Sequence, residues 1–185
     1  MSQQKLHTDV LLQSCAKGDR FAQMEIYNRY YKAMYNTALR IVKDSFEAED
    51  IMQESFLNAF TKLDTFKGEV TFGAWLKRIV VNNSIYHYRK KQKSNSVSLE
   101  EVMYRVEDND GVTEDHEFTN VQAQKVLETM KTLKDNYRVS LTLHLIEGFD
   151  HEEICEIMGI SYANCRTTIS RAKESLRKKL TQICT

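Results

Sequence analysis

Apolar residues recur along the front half of the chain at intervals of mostly three and four, which predicts amphipathic helices. The first predicted helix runs from Phe21 to Val42. Asp44 and Glu47 have the spacing of a capping box at the start of a second helix, and Thr71 can cap a third. The side chains expected to face the core are Met24, Tyr27, Tyr31, Met34, Tyr35, Ala38 and Ile41 in the first helix, Ala48, Ile51, Met52, Phe56, Ala59, Phe60 and Leu63 in the second, and Phe72, Trp75, Leu76, Ile79, Val80, Asn83 and Tyr86 in the third.

The periodic pattern stops from about Gln92 to Asn120, where Ser, Asn, Asp and Glu dominate, and this stretch is predicted to be a linker. Helical spacing resumes with Val126, Leu127, Met130 and Leu133, and an apolar helix is expected around Tyr137–Ile146. A second capping box, Asp150 with Glu153, and a capping Ser161 then predict two helices separated by a turn at Gly159. Their inward side chains are expected to be Ile154, Ile157 and Met158, then Cys165, Ile169, Ala172, Leu176 and Leu180.

Composition supports an all-α fold, because the 185 residues contain no proline and only six glycines. We predict two small helical domains joined by a flexible acidic linker. The expected division is an N-terminal extension with the start of the first helix (1–20), a first domain (21–92), the linker (93–120) and a second domain (121–185).

The formal net charge is zero, so the distribution of charge matters more than its sum. Basic residues cluster at the end of the third predicted helix and again along the last one, and acidic residues lie between the two blocks. Solvated helix ends and an ordinary polar linker explain this equally well. The basic residues are Arg89, Lys90, Lys91 and Lys93, then Arg166, Arg171, Lys173, Arg177, Lys178 and Lys179; the acidic ones are Glu100, Glu101, Glu107, Asp108, Asp110, Glu114, Asp115 and Glu117.

Several classes of site are not expected. The four cysteines lack zinc-ligand spacing and are predicted to be reduced, mostly buried thiols, so neither a metal nor a cofactor is expected. His151 has no second histidine four residues later, no glycine loop for phosphate is present, and we therefore expect no enzyme. The N-terminus has no apolar signal region and no apolar run could span a membrane, which predicts a cytoplasmic protein.

Three surfaces are candidates for binding. The last two helices fit a helix-turn-helix, whose second helix enters the major groove of DNA, although a helical hairpin with a basic solvated face has the same pattern. One face of the second helix carries carboxylates, an amide and an exposed leucine, which favours a partner or simply solvent. Aromatic and basic residues alternate near the third helix, as in sites for single-stranded nucleic acid, although Phe72 and Trp75 also fit a core.

Two blocks of sequence, separated by the predicted linker, match a known family. The first block contains Arg29–Tyr31, Ala48–Phe56 and Phe66–Leu76; the second contains Glu147–Ile154, Gly159–Ser161 and Ser170–Ala172. The first block resembles region two, and the second resembles region four, of the extracytoplasmic-function (ECF) sigma factors of bacterial RNA polymerase, in the family's order.

The resemblance implies a role for each candidate surface. Core polymerase would be bound by Asp50, Gln53 and Glu54, and we add Leu57 on the same face. The opened strand of the minus-ten element would be held by Phe66, Lys67, Gly68, Arg78, Asn82 and Arg89. The minus-thirty-five duplex would be read by Tyr162, Asn164, Arg166, Thr167, Ser170, Arg171 and Lys173.

The expected partners are therefore core RNA polymerase, promoter DNA as duplex and opened strand, and an anti-sigma factor. We expect no membrane insertion and a monomer when the protein is free. One alternative is a stand-alone helix-turn-helix regulator that binds duplex DNA without polymerase. That alternative leaves the Asp50–Leu57 face and the aromatic loop unexplained.

Overall fold

The computed structural model describes the backbone of residues 2–95 and 117–183, and every regular element within those ranges is helical. The chain divides into two compact units between residues 100 and 101. The first unit contains α1 (Ser2–Ala16), α2 (Arg20–Val42), α3 (Ser45–Thr61), a 3-10 turn (Leu63–Thr65) and α4 (Phe72–Asn95). The second contains α5 (Glu117–Lys131), α6 (Asp135–Leu141), a π-helical turn (Thr142–Ile146), α7 (His151–Met158) and α8 (Tyr162–Ile183).

In the first unit, α2 lies at the centre and packs against α1, α3 and α4. Asp19 begins α2 by accepting a hydrogen bond from the backbone N–H of Phe21 at 2.9 Å, and Lys43 ends it in the left-handed conformation. Glycine at position 73 lets α4 pack on α2 without displacing Tyr30, because a Cβ atom there would lie 3.0 Å from the ring of Tyr30. The core is therefore built from three helices that close around α2.

A separate first helix, α1, was not predicted, because residues 1–20 were interpreted as an extension with the start of the first helix. It packs on α2 and buries Leu12 and Cys15. Its apolar residues Val10, Leu11 and Leu12 are consecutive and therefore lie on different sides of the helix, so the spacing of Leu12 and Cys15 gives only a weak periodic signal. Contact with α2 supplies the stabilisation that the local pattern does not indicate.

Two predicted core positions are wrong. Met24 is 58% exposed and Tyr86 is 65% exposed, whereas Ile26, Val81 and Ile85, which were not predicted to be inward, are buried. For α4 the reason is tertiary: it packs against both α2 and α3, so it buries two adjacent stripes instead of the one that a single-face pattern describes. Which side of such a helix is buried depends on the helices that pack against it.

In the second unit, α8 packs against α5, α6 and α7. The buried side chains include Val139, Leu141, Leu143 and Ile154, which come from α6, the π-helical turn and α7. Lys179 of α8 donates to the backbone oxygen of Thr132 at 3.1 Å, which ties α8 to the end of α5. Two bounds differ from the predicted linker, since α4 continues to Asn95 and α5 begins at Glu117; residues 96–116 lie outside the described part of the chain.

Candidate docking and nucleic-acid surfaces

The predicted docking residues lie together on the solvent side of α3. Asp50, Gln53, Glu54 and Leu57 are all exposed, and we call these four residues the docking strip. Leu57 is 68% exposed, and the side chain of Gln53 donates to Glu49 at 3.2 Å. The opposite side of α3 is buried through Ala48, Ile51, Met52, Ser55, Phe56 and Ala59.

Contacts with α4 hold α3 in place. The side chain of Asn83 donates to the hydroxyl of Ser55 at 3.0 Å, and that hydroxyl donates to the backbone oxygen of Ile51 at 2.6 Å. Asp44 accepts from the backbone N–H of Glu47 at 3.0 Å, as its capping role predicts. The carboxylate of Glu47 reaches α4, where it lies 3.2 Å from the Lys91 ammonium. The first turn of α3 is thus fixed to the far end of α4.

His87 of α4 lies between two carboxylates of α3. Its Nδ1 is 3.7 Å from Glu47 and its Nε2 is 3.9 Å from Glu54, a member of the docking strip. These pairs are ionic only when the imidazole is protonated. His87 was not among the predicted site residues, because a contact across 33 positions or more leaves no local periodic signal.

The loop between α3 and α4 is anchored at one end by aromatic packing. The ring of Phe66 lies 5.3 Å from that of Trp75 and 5.7 Å from that of Phe72, so Phe66 is half-buried. Lys67 and Gly68 are exposed. Gly68 has φ +74°, a conformation that side chains other than glycine rarely adopt, which explains a glycine at this turn.

The predicted minus-ten residues of α4 share one side of the helix. Asn82 and Arg89 are exposed and Arg78 is half-buried. At about 100° per residue, these three positions fall within about 40° of one another. Tyr86 was predicted to be buried, but it is exposed and lies within about 80° of Arg78 on the same side. The structure therefore places an aromatic ring beside the basic and amide groups.

The helix-turn-helix in the second unit forms as predicted. Asp150 and Glu153 make a reciprocal capping box at 2.8 and 3.0 Å, and Gly159 ends α7 in the left-handed conformation. The hydroxyl of Ser161 accepts from the backbone N–H of Asn164 at 3.3 Å and so caps α8. The inward residues Cys165, Ile169, Ala172 and Leu176 are buried, and Leu180 is half-buried.

The outward face of α8 carries most of the predicted duplex-reading residues. Those that are exposed are Tyr162, Asn164, Arg166, Thr167, Ser170 and Arg171, whereas Lys173 is half-buried toward one flank. Two are engaged locally, because Thr167 donates to the backbone oxygen of Ala163 at 2.8 Å and Asn164 accepts from Thr168 at 3.2 Å. The ring of Tyr162 packs 6.1 Å from that of His151, at the start of α7.

An acidic residue also occupies the outward face of α8. Glu174 lies one turn beyond Ser170 and pairs with Lys178 at 2.7 Å. The hydrogen bond and charge of Lys178 lower the pKa of the Glu174 carboxyl. Glu174 was not among the predicted residues, although its spacing of four from Lys178 predicts this pair. Lys178 is therefore paired with a carboxylate while its side chain stays largely exposed.

Two of the thiols occur in the helix-turn-helix. Cys165 is buried, and its sulfur lies 3.7 Å from the backbone oxygen of His151. Burial, together with the neighbouring thiol of Cys155, raises the pKa of Cys165 to about 11, so this thiol stays protonated near neutral pH. Within the described helices, none has the length and apolarity needed to cross a bilayer.

Comparison with known proteins gives the family. The profile of Sigma-70 region 2 matches residues 26–94, and that of Sigma-70, region 4 matches residues 123–176. The chain is 34% identical over 175 residues to the ECF RNA polymerase sigma factor SigW of Bacillus subtilis, covering 89% of this chain and 91% of that protein. It is 31% identical over 188 residues to the ECF RNA polymerase sigma-E factor of Salmonella typhimurium, covering 97% of each.

A solved structure has the same fold. The sigma factor RpoE, in complex with the anti-sigma factor NepR from Bartonella quintana, aligns with a TM-score of 0.56 and 23% identity, covering 85% of this chain and 96% of that one. The two regions, matched in this order in one chain, favour a sigma factor over a stand-alone regulator. The predicted all-α, two-domain architecture is confirmed. The chain belongs to the extracytoplasmic-function family of RNA polymerase sigma factors.

Proposed function

We propose that this sigma factor docks on core RNA polymerase through the docking strip of α3. The observation that carries the proposal is Leu57, a large apolar side chain that is 68% exposed next to Asp50, Gln53 and Glu54. A partner that covers Leu57 removes apolar surface from water. It also excludes water from the adjacent carboxylates and amide, which strengthens their contacts with the partner.

The loop at residues 66–70 and the outward side of α4 would hold the opened strand of the minus-ten element. Phe66 is anchored against Trp75, so the exposed Lys67 extends from a fixed base. Single strands are bound by positive charge combined with aromatic stacking. Arg78 and Arg89 supply the charge on α4, while Asn82 and the exposed Tyr86 supply an amide and a stacking surface.

In the second unit, α8 would read the minus-thirty-five duplex. Its capped N-terminus favours a phosphate, and the side chains of its first turns reach base edges when such a helix enters the major groove. Arg166, Ser170 and Arg171 are exposed there. Arginine reads guanine through two hydrogen bonds, which makes Arg166 and Arg171 the strongest candidates for base selection. Tyr162 packs against His151 and would set the angle of α8.

The wider role follows from the family. As a sigma factor, the chain directs core polymerase to promoters and initiates transcription. We further propose that it works in the cytoplasm, acts by binding without a reaction of its own, and is restrained by an anti-sigma factor. Support for the last point is the solved RpoE–NepR complex, in which a protein of the same fold is bound by an anti-sigma factor.

The decisive test is the double variant Asp50→Ala with Gln53→Ala. Loss of charged and amide groups from the centre of an interface costs about 2–5 kcal/mol, so binding to purified core polymerase should weaken by roughly thirtyfold or more. A matched control is Glu25→Ala with Asn28→Ala, which removes a carboxylate and an amide, three positions apart, from the exposed surface of α2. Circular dichroism and thermal melting should be nearly unchanged for both variants.

Two outcomes separate this proposal from others. Equal affinity of both double variants for core polymerase would mean that the docking surface lies elsewhere. Tight binding of the free chain to a duplex minus-thirty-five element, with no requirement for polymerase in promoter selection, would favour a stand-alone regulator. Permanganate footprinting of thymines in the minus-ten element then tests the loop, since Lys67→Ala should reduce opening without affecting polymerase binding.

A further inference from the structure

A second apolar side chain lies at the beginning of α3. Phe46 occupies the first turn of that helix and is 82% exposed. The neighbouring residues account for the start of the helix, because Asp44 caps it and Glu47 pairs with Lys91 of α4. Neither the cap nor the core therefore needs an aromatic ring at this position. Single exposed apolar residues are common on proteins, so exposure alone does not assign a role.

The position of Phe46 relative to the docking strip is the second observation. At about 100° per residue, Phe46, Gln53 and Leu57 fall within about 40° of one another around the axis of α3. Asp50 lies within about 40° of Phe46. The rise of the helix separates Phe46 from Leu57 by roughly 16 Å. Phe46 thus continues the docking strip by one turn and gives it an apolar residue at each end.

The strip has a defined chemistry and a rigid base. Carboxylate and amide groups occupy its middle, and large apolar side chains occupy its two ends. Contacts from α4 to Glu47 and Ser55 fix the helix before any partner binds, so little backbone order has to be gained in the complex. A complementary partner presents basic groups between two apolar depressions. Apolar contacts that surround a polar centre keep water away from it. Polar contacts in such a centre contribute more to the binding free energy than they would in water.

We propose that Phe46 is a second apolar anchor for core RNA polymerase, at the opposite end of the docking surface from Leu57. The inference rests on the proposed docking role of Asp50 and Gln53, and it adds a residue that the family resemblance did not indicate. We assign polymerase as the partner that covers Phe46, because the strip from Phe46 to Leu57 is continuous along one helical face. A partner whose basic groups bind the acidic middle of the strip therefore also reaches Phe46.

The chain provides a matched control. Phe21 is 89% exposed, and like Phe46 it is the second residue of a helix that is capped by an aspartate, here Asp19 of α2. Phe46→Ala and Phe21→Ala therefore remove the same side chain from equivalent local settings. Affinity for purified core polymerase is measured by titration with fluorescently labelled full-length protein. Helicity and thermal melting, followed by circular dichroism, check that each variant is folded.

The expected result is that Phe46→Ala weakens polymerase binding by about tenfold, because the apolar surface of a large side chain is no longer removed from water in the complex. Phe21→Ala should leave it unchanged. Phe46→Leu should restore most of the affinity and Phe46→Ser should not, because the anchor acts through its apolar surface. Equal affinities for Phe46→Ala, Phe21→Ala and the unaltered protein would overturn the inference.

The failure of this inference and of the proposed function can be distinguished. If Asp50→Ala with Gln53→Ala abolishes docking while Phe46→Ala has no effect, the docking strip stands and the anchor at Phe46 is rejected. If Phe46→Ala weakens docking while the double variant binds normally, the ring contacts polymerase but the polar centre has been misassigned. If Phe46→Ala weakens the capture of an anti-sigma factor and not that of polymerase, the assigned occupant is wrong.

Discussion

The docking strip on α3 and the outward face of α8 are both rows of exposed side chains, but they are held in different ways. Around the strip, Glu54 lies 3.9 Å from His87 and Ser55 accepts from Asn83 at 3.0 Å, so these contacts cross to α4. On the outward face of α8, three contacts join residues four positions apart: Thr167 to Ala163, Thr168 to Asn164, and Lys178 to Glu174. Tyr162, which packs against His151 of α7, is the exception on that face. Substitutions in α4 should therefore also affect binding through the docking strip, whereas a substitution on the outward face of α8 should affect only the contacts of that side chain.

The largest effect on stability is expected when a large side chain is removed from the buried side of α3. Ile51 is fully buried opposite the docking strip, and Ile51→Ala should lower the free energy of unfolding of the first unit by about 2–5 kcal/mol. Urea denaturation followed by circular dichroism measures the change, with Thr61→Ala, at an exposed position of α3, as the control. A loss below about 1 kcal/mol for Ile51→Ala would show that α3 depends less on its neighbours than the packing indicates.

The next effect concerns base selection by α8. Arg171→Ala should relax the preference at one or two minus-thirty-five positions by about 1–3 kcal/mol, because a paired arginine–guanine contact is lost. Thr167→Ala should change the preference less, since its hydroxyl already donates to the backbone of Ala163. A promoter library transcribed with each variant gives the two profiles. A larger change for Thr167→Ala than for Arg171→Ala would contradict the proposed orientation of α8.

A smaller effect is expected when the contact of His87 in α4 with the carboxylates of α3 is removed. His87→Ala removes the imidazole of α4 that lies near Glu47 and Glu54, while the contact of Lys91 with Glu47 remains. Exposed pairs of this kind contribute about 0.2–1 kcal/mol when both groups are charged. We expect polymerase binding to weaken up to severalfold at low salt and less at high salt. Lys90→Ala removes an exposed basic residue from the same helix and serves as the control. If the two variants bind polymerase with the same dependence on salt, His87 does not contribute to docking.

The smallest effect tests a contact within α8. The pKa of the Glu174 carboxyl is lowered by Lys178, so the pair is complete above the ordinary pKa of glutamate. It is lost as the pH falls through the lowered value. Titration of the Glu174 side chain by NMR should give a pKa below that ordinary value, and Lys178→Ala should raise it. An unchanged titration in Lys178→Ala would mean that the pair is not formed in solution.

The sequence by itself determined the parts of the protein that depend on nearby residues. The caps at Asp150 and Ser161 and the buried positions Cys165 and Ile169 follow from residues within a few places of one another. The polar face of α3 was predictable for the same reason. A cap or a helical stripe is an interaction between residues one turn apart, so its pattern is visible in a single chain.

Only the tertiary structure decided which of two adjacent faces a helix buries. Ile85 and Tyr86 are neighbours and both apolar enough for a core, yet Ile85 is buried and Tyr86 is exposed, because α4 lies against α2 and α3 together. The contact of His87 with Glu54 and the packing of α1 on α2 are of the same kind. Each joins residues on different helices, and the free energy that selects it comes from buried surface contributed by both.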